Sequence, residues 1–392
     1  MTPSRHLPTP DPAALAHSRK LADDLLRVIQ ANNGRISFHD FMQHLLYAPG
    51  LGYYTAGSRK LGEAGDFITA PEISPLFGRT LARAVAPVLT RLPKPIILEA
   101  GAGSGAMAAA ILQELQAMDC LPEQYLIMEV SADLRERQRA TLTQAVPTLL
   151  DRVIWLDALP DTIHGVVLGN EVLDAMPVHL IVKQDGKLLE RYVTEGATGF
   201  DWQDGDITDP RLAERIHTIE QQTGPLPTGY LTEINLTGED WIRTLAHSLQ
   251  QGLILLIDYG FPRHEYYHPQ RSSGTLMCHY RHHAHPDPLQ FIGLQDVTAH
   301  VDFTAMAEAA WDAGCSIAGY TSQGNFLLGS GLAELAAQSD PNDVARQLQV
   351  AGALKKLTLP HEMGELFKVI GFSKGVDTDL PGFMLRDMRN YL

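Results

Sequence analysis

The sequence predicts an α/β fold in which helices cover both faces of a doubly wound, mostly parallel sheet. Short apolar runs alternate with helical segments of roughly 10–15 residues, a pattern typical of buried parallel strands joined by right-handed crossovers. The first run leads directly into a glycine-rich loop, as in sheets that bind nucleotides. We also expect a helical cap before the sheet and an insertion after its fourth strand.

The N-terminal part is predicted to contain a leader and a cap. Residues 1–17 are rich in proline, lack an apolar run and are predicted to be a disordered leader. Residues 18–92 are predicted to form a helical cap or lid, because apolar residues recur there at helical spacing. Ser37 is a predicted N-cap, and Thr69 with Glu72 fits a capping box at the start of a later helix.

Seven apolar runs are the predicted strands of the sheet. They lie at residues 95–99, 125–129, 153–155, 165–169, 253–258, 316–321 and 366–372. The long gap between the fourth and fifth runs contains Val178–Val182 and Leu188–Val193 on either side of Asp185-Gly186, which predicts a β-hairpin. The predicted domains are therefore a Rossmann-like core of residues 93–177 and 250–375, an inserted substrate subdomain of residues 178–249, and a C-terminal tail of residues 376–392.

The composition disfavours several classes of protein. Hydrophobic residues make up 45% and charged residues 20% of the chain, as in globular domains. The three cysteines form no CxxC pair, which suits a reducing cytosol. The net charge of 31 − 46 = −15 disfavours nucleic-acid binding, and no apolar run reaches the ~18 residues of a membrane span. We expect a cytoplasmic protein without nucleic-acid partner or membrane insertion; the oligomeric state stays open, a homodimer included.

The loop Glu99-Ala-Gly-Ala-Gly-Ser-Gly105 carries the main cofactor signal. Gly101 and Gly103, followed by Ala106, also satisfy the relaxed dinucleotide fingerprint, so the loop alone leaves a dehydrogenase possible. Glu99 occupies a position that dinucleotide folds usually keep apolar, and its carboxylate could receive the ammonium group of S-adenosyl-L-methionine. Gly105 completes an E-x-G-x-G-x-G pattern. Together, Glu99 and Gly105 favour S-adenosyl-L-methionine as the cofactor.

Acidic residues follow the next two strands. Glu129 ends the second run, where a carboxylate can accept hydrogen bonds from both ribose hydroxyls of either cofactor class. Asp157 lies just past the third run and could accept from the adenine amino group, with Leu156 or Trp155 against the ring. For both acidic residues the alternative is a solvated side chain at the end of a strand.

Seven motifs occur in a fixed order along the chain: Gly65–Ser74, Phe77-Gly78, Gly169–Pro177, Ile257–Gly260, Gly274-Thr-Leu, Asp296–Phe303 and Gln323–Phe326. This ordered set resembles the MidA-like family, whose mitochondrial members are arginine methyltransferases needed to assemble respiratory complex I. The resemblance extends from about Ile36 to Gly375. It implies a class I methyltransferase core with S-adenosyl-L-methionine as donor. It also implies a partner protein that carries the target arginine, similar to a complex I subunit.

The turn after the fourth run is the predicted site of methyl transfer. A guanidinium acceptor is a poor nucleophile, and carboxylates are suited to hold its planar fork. We expect Asn170 and Glu171 to line the site, with Asp174 either gripping the guanidinium or fixing the loop. The spacing of Glu171 and Asp174 predicts that both carboxylates lie on one side of a helical turn. Helix capping is the alternative role for Asp174.

Further lining residues come from other segments. Gly65–Ser74 is predicted to fold over the cofactor through Asp66, Phe67 and Thr69, although a capping box would also explain Thr69. Asp258 and Tyr259 end the fifth run and are additional candidates. The histidine cluster at residues 281–285 is predicted to be a polar loop and not a metal site, because no matching ligand set accompanies it. A small-molecule methyltransferase and a cofactor-binding assembly chaperone remain alternative functions.

Overall fold

The computed structural model describes residues 7–56, 69–377 and 379–392. In chain order its strands are β1 (Arg35–Ser37), β2 (Ile96–Ala100), β3 (Gln124–Met128), β4 (Val153–Leu156), β5 (Ile163–Asn170), β6 (His179–Gln184), β7 (Lys187–Gly196), β8 (Gly199–Gly205), β9 (Leu231–Ile234), β10 (Leu249–Phe261), β11 (Met277–Tyr280), β12 (His283–His285), β13 (Asp296–Thr298), β14 (Val301–Asp302), β15 (Ser316–Ser322) and β16 (Phe367–Lys374). Its helices are α1 (Pro12–Ala31), α2 (Phe38–Tyr47), α3 (Ala70–Ile73), α4 (Pro75–Leu89), α5 (Ala106–Ala117), α6 (Ala132–Ala145), α7 (Pro210–Thr223), α8 (Leu236–Ser248), α9 (Arg263–Tyr266), α10 (Phe303–Asp312), α11 (Gln323–Gly329), α12 (Leu332–Ala336), α13 (Val344–Thr358), α14 (Met363–Leu366) and α15 (Pro381–Met384).

The chain divides into two compact units. The first contains residues 1–67, 174–238 and 263–300, and the second contains residues 68–173, 239–262 and 301–392. Within the described ranges, no helix combines the length and apolar character needed to cross a bilayer.

The second unit contains the predicted α/β fold. Its sheet has the strand order β15-β16-β10-β5-β2-β3-β4, and β14 pairs with the end of β10. Strands β4, β3, β2, β5 and β10 are parallel, whereas β16 is antiparallel to both of its neighbours. The prediction of a doubly wound, mostly parallel sheet is therefore confirmed. The chain order reverses between β2 and β5, so the topological switch point lies at their carboxyl ends.

Burial on both faces explains why these strands are continuous apolar runs. Val166 and Leu255 on the central strands are at most 1% exposed, and they belong to the same core as Phe77, Leu81 and Ile111 of the flanking helices. Removing one such side chain from water stabilises the fold by about 1.5–3 kcal/mol. The glycine loop thus follows a strand that is fixed on both of its faces.

The first unit is built on antiparallel sheets. One sheet has the order β1-β7-β6-β9, in which β7 also pairs with β8, and a smaller sheet has the order β12-β11-β13. The predicted hairpin is confirmed as β6 and β7. Asp185 and Gly186 have φ angles of 47° and 78° at its turn, as a two-residue type I′ turn requires.

The predicted leader is wrong from residue 12 onward, because α1 begins at Pro12. Asp11 is the N-cap, and its carboxylate accepts hydrogen bonds from Ala13 N (3.0 Å) and Ala14 N (2.9 Å). Proline is favoured in the first turn because its missing N–H would have no intrahelical partner there. The sequence Asp11-Pro12 is therefore a helix start and not part of an irregular leader.

The segment predicted as a C-terminal tail packs on the second unit. Phe383 of α15 is 5% exposed, and its ring centroid lies 5.1 Å from that of Phe326. Leu380 is also buried in the same core. Burial of these side chains makes the last residues part of the packed structure.

Candidate functional site

The glycine loop lies at the topological switch point of the second unit. Gly101, Gly103 and Gly105 have φ angles of 66°, 53° and 85°, in the left-handed region that favours glycine. Gly105 is also the N-cap of α5 and provides no capping side chain. The loop therefore brings backbone groups and a helix N-terminus to the place where α/β sheets bind their ligands.

Glu99 is a buried carboxylate beneath this loop. It is 1% exposed, and its Oε2 accepts a hydrogen bond from the Tyr125 hydroxyl over 2.6 Å. Burial raises the pKa of Glu99 to about 7, against the opposing effect of the Tyr125 hydrogen bond. Its Oε1 has no hydrogen-bond partner in the part of the chain that the structure describes. A buried acceptor of this kind fits a cationic donor such as the ammonium group of S-adenosyl-L-methionine.

Glu129 follows β3 and is held by two donors. Its Oε1 accepts from Ser131 N over 2.9 Å, and its Oε2 accepts from Gln138 Nε2 over 3.0 Å. Burial raises the pKa of Glu129, whereas the Ser131 and Gln138 hydrogen bonds lower it. An ionised carboxylate has about four acceptor sites, so both oxygens retain capacity for ligand hydroxyls.

Arg135 connects the ends of β3 and β4. Its Nε donates to the Glu129 carbonyl (2.7 Å), and its Nη2 donates to the Leu156 carbonyl (2.8 Å). Its Nη1 lies 2.7 Å from Oδ1 of Asp157, a side chain that is 90% exposed. The structure therefore places Asp157 in a surface ion pair at the end of β4.

Gln138 of α6 is a site residue that the sequence analysis missed. Its amide also contacts Gly103 and Trp155, which makes it a link between three segments. A polar residue in a charged helix resembles any surface position in the sequence. The possible signal was its spacing from Arg135, because residues i and i+3 share one face of a helix.

The segment before α4 differs from the prediction. Thr69 is the N-cap residue of α3 by position, but its side chain makes no capping hydrogen bond. Glu72 instead accepts a hydrogen bond from the Ser104 hydroxyl of the glycine loop. The capping box is therefore wrong, because the loop hydroxyl takes the carboxylate that would complete it. The predicted site residues Asp66 and Phe67 lie outside the described residues.

Asn170 and Glu171 lie together at the carboxyl end of β5. Asn170 is 8% exposed, and its Nδ2 donates to Glu171 Oε1 over 2.9 Å. Its Oδ1 has no partner among the described residues. Glu171 has a φ angle of 54°, which is unfavourable for a residue with a side chain. Such backbone strain is concentrated at functional sites, where the surrounding structure holds it in place.

Asp258 holds the turn that contains Glu171. Its Oδ2 accepts from Val172 N (3.1 Å) and Leu173 N (2.9 Å), and its Oδ1 accepts from Tyr259 N (2.9 Å). The sequence analysis treated Asp258 as a lining residue. The structure shows instead a carboxylate that fixes the backbone of the turn.

The helical turn predicted for Glu171 and Asp174 is wrong. Residues 171–176 form bends and turns, because the left-handed φ angle of Glu171 does not continue into a helix. No helix therefore begins there for Asp174 to cap. Asp174 belongs to the first unit, where it is 4% exposed and its carbonyl accepts from Ala299 N over 3.0 Å.

The first unit contains its own buried polar groups. Tyr54 donates its hydroxyl hydrogen to Asp296 Oδ1 over 2.9 Å, and burial raises the pKa of Tyr54 well above its usual value. In the histidine cluster, Arg281 and His282 form the turn between β11 and β12 and have positive φ angles, whereas His283 and His285 lie in β12 and not in a loop. No group of three potential metal ligands occurs among the residues that the structure describes.

Comparison with known proteins identifies the chemistry of this fold. Residues 80–321 match the family of S-adenosyl-L-methionine-dependent methyltransferases. The crystal structure of a Burkholderia thailandensis protein bound to S-adenosyl-homocysteine is 46% identical to this chain, with a TM-score of 0.94. The match covers 98% of this chain and 100% of that one. The prediction of S-adenosyl-L-methionine as the cofactor is thereby confirmed, and the dehydrogenase alternative is excluded.

Two curated relatives match most of the chain. The mitochondrial protein arginine methyltransferase NDUFAF7 homolog of Drosophila melanogaster is 28% identical over 412 residues, covering 96% of this chain and 90% of its own length. The mitochondrial protein arginine methyltransferase NDUFAF7 of Danio rerio is 26% identical over 371 residues, covering 86% and 82%. These relatives confirm the family resemblance. Their mitochondrial location contradicts the cytoplasmic location predicted from the sequence.

Proposed function

The chain belongs to the family of S-adenosyl-L-methionine-dependent methyltransferases, and we propose that its methyl acceptor is an arginine side chain of a partner protein. The observation that carries the proposal is the match of 96% of the chain to a relative named a protein arginine methyltransferase. The partner proposed from the family resemblance is a protein similar to a core subunit of respiratory complex I. When bound, S-adenosyl-L-methionine supplies a methyl group on a sulfonium sulfur, which is open to in-line displacement by the acceptor nitrogen.

The residues around the glycine loop are proposed to hold the cofactor. Glu99, with its unpartnered Oε1, is proposed to receive the ammonium group, and Glu129 is proposed to accept the ribose hydroxyls. The loop glycines leave room for close approach of the ligand. Asp157 is proposed to accept from the adenine amino group, in which case its ion pair with Arg135 sets its orientation. Thr69, Asp66 and Phe67 are retained as proposed cofactor contacts.

The Asn170–Glu171 turn is proposed to receive the guanidinium group. The pKa of a free arginine side chain exceeds ~12, so its nitrogens carry a delocalised positive charge and attack poorly. The Glu171 carboxylate would hold the planar fork and draw positive charge away from the attacking nitrogen. Asn170 Oδ1, which has no partner among the described residues, could accept another guanidinium hydrogen. Asp174 is proposed either to grip the guanidinium or to fix the loop.

Mass spectrometry of the proteome tests the acceptor. We expect at least one methylated arginine to disappear when the protein is deleted, and to return with the wild-type chain but not with Glu171→Gln. Calorimetry with S-adenosylhomocysteine should show that this variant still binds the cofactor product. If no arginine changes, and the methyl group of isotopically labelled S-adenosyl-L-methionine appears in small molecules, the acceptor proposal is wrong. A small-molecule methyltransferase is then indicated. If the Glu171→Gln variant still supports assembly of the partner complex at full strength, the protein acts instead as a cofactor-binding assembly chaperone.

A further inference from the structure

The amide of Gln138 joins three segments of the second unit. Its Nε2 lies 3.0 Å from the Gly103 carbonyl and 3.0 Å from Glu129 Oε2. Its Oε1 accepts a hydrogen bond from Trp155 Nε1 over 2.9 Å. The side chain is fully buried, with 0% exposure. One side chain therefore contacts the glycine loop, the residue after β3 and a residue of β4.

Only a primary amide provides this combination of donors and acceptor. The indole N–H of Trp155 can only donate, so the Gln138 oxygen must face it. The two amide hydrogens are then directed to the Gly103 carbonyl and to Glu129. A carbonyl oxygen is always an acceptor, and an ionised carboxylate is an acceptor without a hydrogen to donate. A leucine at this position would leave the buried Glu129 carboxylate and the partly buried Gly103 carbonyl and Trp155 N–H without this partner, and each loss is costly.

We propose that Gln138 is a positioning residue that assembles the nucleoside half of the cofactor site. The inference rests on the proposed contact between Glu129 and the ribose hydroxyls. Gln138 has no direct part in methyl transfer in this proposal. It fixes the direction of the Glu129 carboxylate and ties this carboxylate to the glycine loop and to Trp155, so that these three segments form a single preorganised surface.

The packing of α6 supports this role. A Cβ atom added to Gly105 would lie 3.1 Å from Gln138 Cα, so the helix approaches the glycine loop closely. Arg135, one turn before Gln138, holds the Glu129 and Leu156 carbonyls. Arg135 therefore fixes the backbone ends of β3 and β4, and Gln138 fixes the side chains between them.

The same contacts separate the nucleoside half from the amino-acid half. Glu99 is bonded to Tyr125, and Gln138 makes no hydrogen bond to either residue in the described part of the chain. Loss of Gln138 should therefore weaken the binding of any ligand that contains the adenosine portion. Loss of Glu99 should weaken only ligands that carry the ammonium group.

Calorimetric titration with two ligands tests the inference. S-adenosylhomocysteine carries both portions, whereas 5′-methylthioadenosine lacks the amino acid. We expect Gln138→Leu to weaken both ligands by the same factor, about 10-fold or more. Gln144→Leu, the same change at an exposed position of α6, should leave both affinities unchanged. Unchanged affinities in Gln138→Leu, or a loss confined to S-adenosylhomocysteine, would overturn the inference.

Gln138→Glu provides a readout that a purely structural role would not change. Above neutral pH its carboxylate would repel that of Glu129. The nearby positive charges are Arg135, which bonds the Glu129 carbonyl, and Arg139, whose guanidinium lies 4.5 Å from the centroid of the Trp155 ring. At lower pH one of the two carboxyl groups is protonated and can donate to the other. We expect the affinity ratio of this variant to wild type to recover by several fold between pH 8 and pH 5.5. The ligand for this measurement is 5′-methylthioadenosine, which lacks the ammonium group that Glu99 is proposed to receive. A constant ratio would contradict the inference.

Glu129→Ala separates this inference from the proposed function. If Glu129→Ala weakens both ligands and Gln138→Leu does not, only the role of Gln138 is wrong. If Glu129→Ala itself has no effect on either ligand, the proposed ribose contact fails and the inference fails with it. Neither result bears on the identity of the methyl acceptor.

Discussion

Asp258 accepts the backbone N–H of Leu173 over 2.9 Å and thereby joins the end of β10 to the turn after β5. The same oxygen accepts from Val172, and the whole carboxylate is 1% exposed. The turn that carries Glu171 is therefore held from the adjacent strand. This relationship explains how Glu171 keeps its positive φ angle although no helix follows it in the turn.

We predict that Asp258→Asn slows methyl transfer more than it weakens the cofactor. Asparagine has only one acceptor oxygen. Its amide N–H would therefore face either the N–H groups of Val172 and Leu173 or the N–H group of Tyr259, which would lose their acceptor. We expect kcat to fall about 10-fold or more and the free energy of unfolding to fall by about 1–2 kcal/mol. The affinity for S-adenosylhomocysteine should change less than about 2-fold. Asp312→Asn, at an exposed position, is the control. If Asp258→Asn has the same kcat as this control, the role assigned to Asp258 is wrong.

Glu171→Gly should separate stability from activity. The left-handed conformation of Glu171 costs about 1 kcal/mol for a residue with a Cβ atom, and glycine adopts it freely. We expect unchanged or higher stability in chemical denaturation, together with loss of methyl transfer. Asp119→Gly, at an exposed position with a φ angle of 55°, is the matched control and should keep full activity. An active Glu171→Gly variant would exclude the carboxylate from the reaction.

The sheet could be predicted because burial determines its sequence. The run at 165–169 lies within β5, and the run at 253–258 lies within β10, since strands covered on both faces must be apolar throughout. The glycine loop was equally predictable. Its φ angles of 53° to 85° are available to glycine and strongly disfavoured for most other residues.

The contacts of single polar side chains could not be predicted. Gln138 bonds to residues 9, 17 and 35 positions away in the chain, and no local pattern specifies such partners. The spacing of Glu171 and Asp174 also occurs in a turn, so the helical interpretation failed once Glu171 adopted a positive φ angle. In contrast, the start of α1 was visible in Asp11-Pro12, which is an ordinary N-cap and first turn.

Gly274→Ala should destabilise the first unit. Gly274 has a φ angle of 75°, and an added Cβ atom would overlap Glu233 Oε1. Glu233 is buried and accepts hydrogen bonds from Thr275 N (2.9 Å) and Leu276 N (3.0 Å), so it cannot move without losing them. We expect a loss of about 1–3 kcal/mol in the free energy of unfolding.

The control for this substitution is Gly352→Ala in α13, where an added Cβ atom meets nothing within 4 Å. Alanine is favoured over glycine inside a helix, so this variant should be more stable by up to about 1 kcal/mol. Equal effects of the two substitutions in urea denaturation would show that the Glu233 contact does not constrain position 274.

Glu99 should make stability and cofactor binding depend on pH in opposite directions. In the cofactor-free protein its pKa is about 7, above the ordinary value of 4.5, so the folded state holds the proton more tightly than the unfolded state. The resulting stabilisation is fully present below pH 4.5 and is lost as the pH rises to 7. It amounts to about 3 kcal/mol at most. In the proposed contact with the cofactor ammonium group Glu99 is ionised, so affinity should rise over the same range.

Glu99→Gln should remove both effects, because glutamine keeps the shape and can still accept from the Tyr125 hydroxyl but does not titrate. At pH 8 we expect the cofactor-free variant to unfold at a higher urea concentration than wild type. It should bind S-adenosylhomocysteine about 10-fold more weakly, and this difference should shrink at pH 5.5. Glu136→Gln, at an exposed position of α6, should behave as wild type in both measurements. If Glu99→Gln binds as tightly as wild type at pH 8, then Glu99 does not receive the ammonium group, because a neutral amide could not replace an ionised carboxylate there.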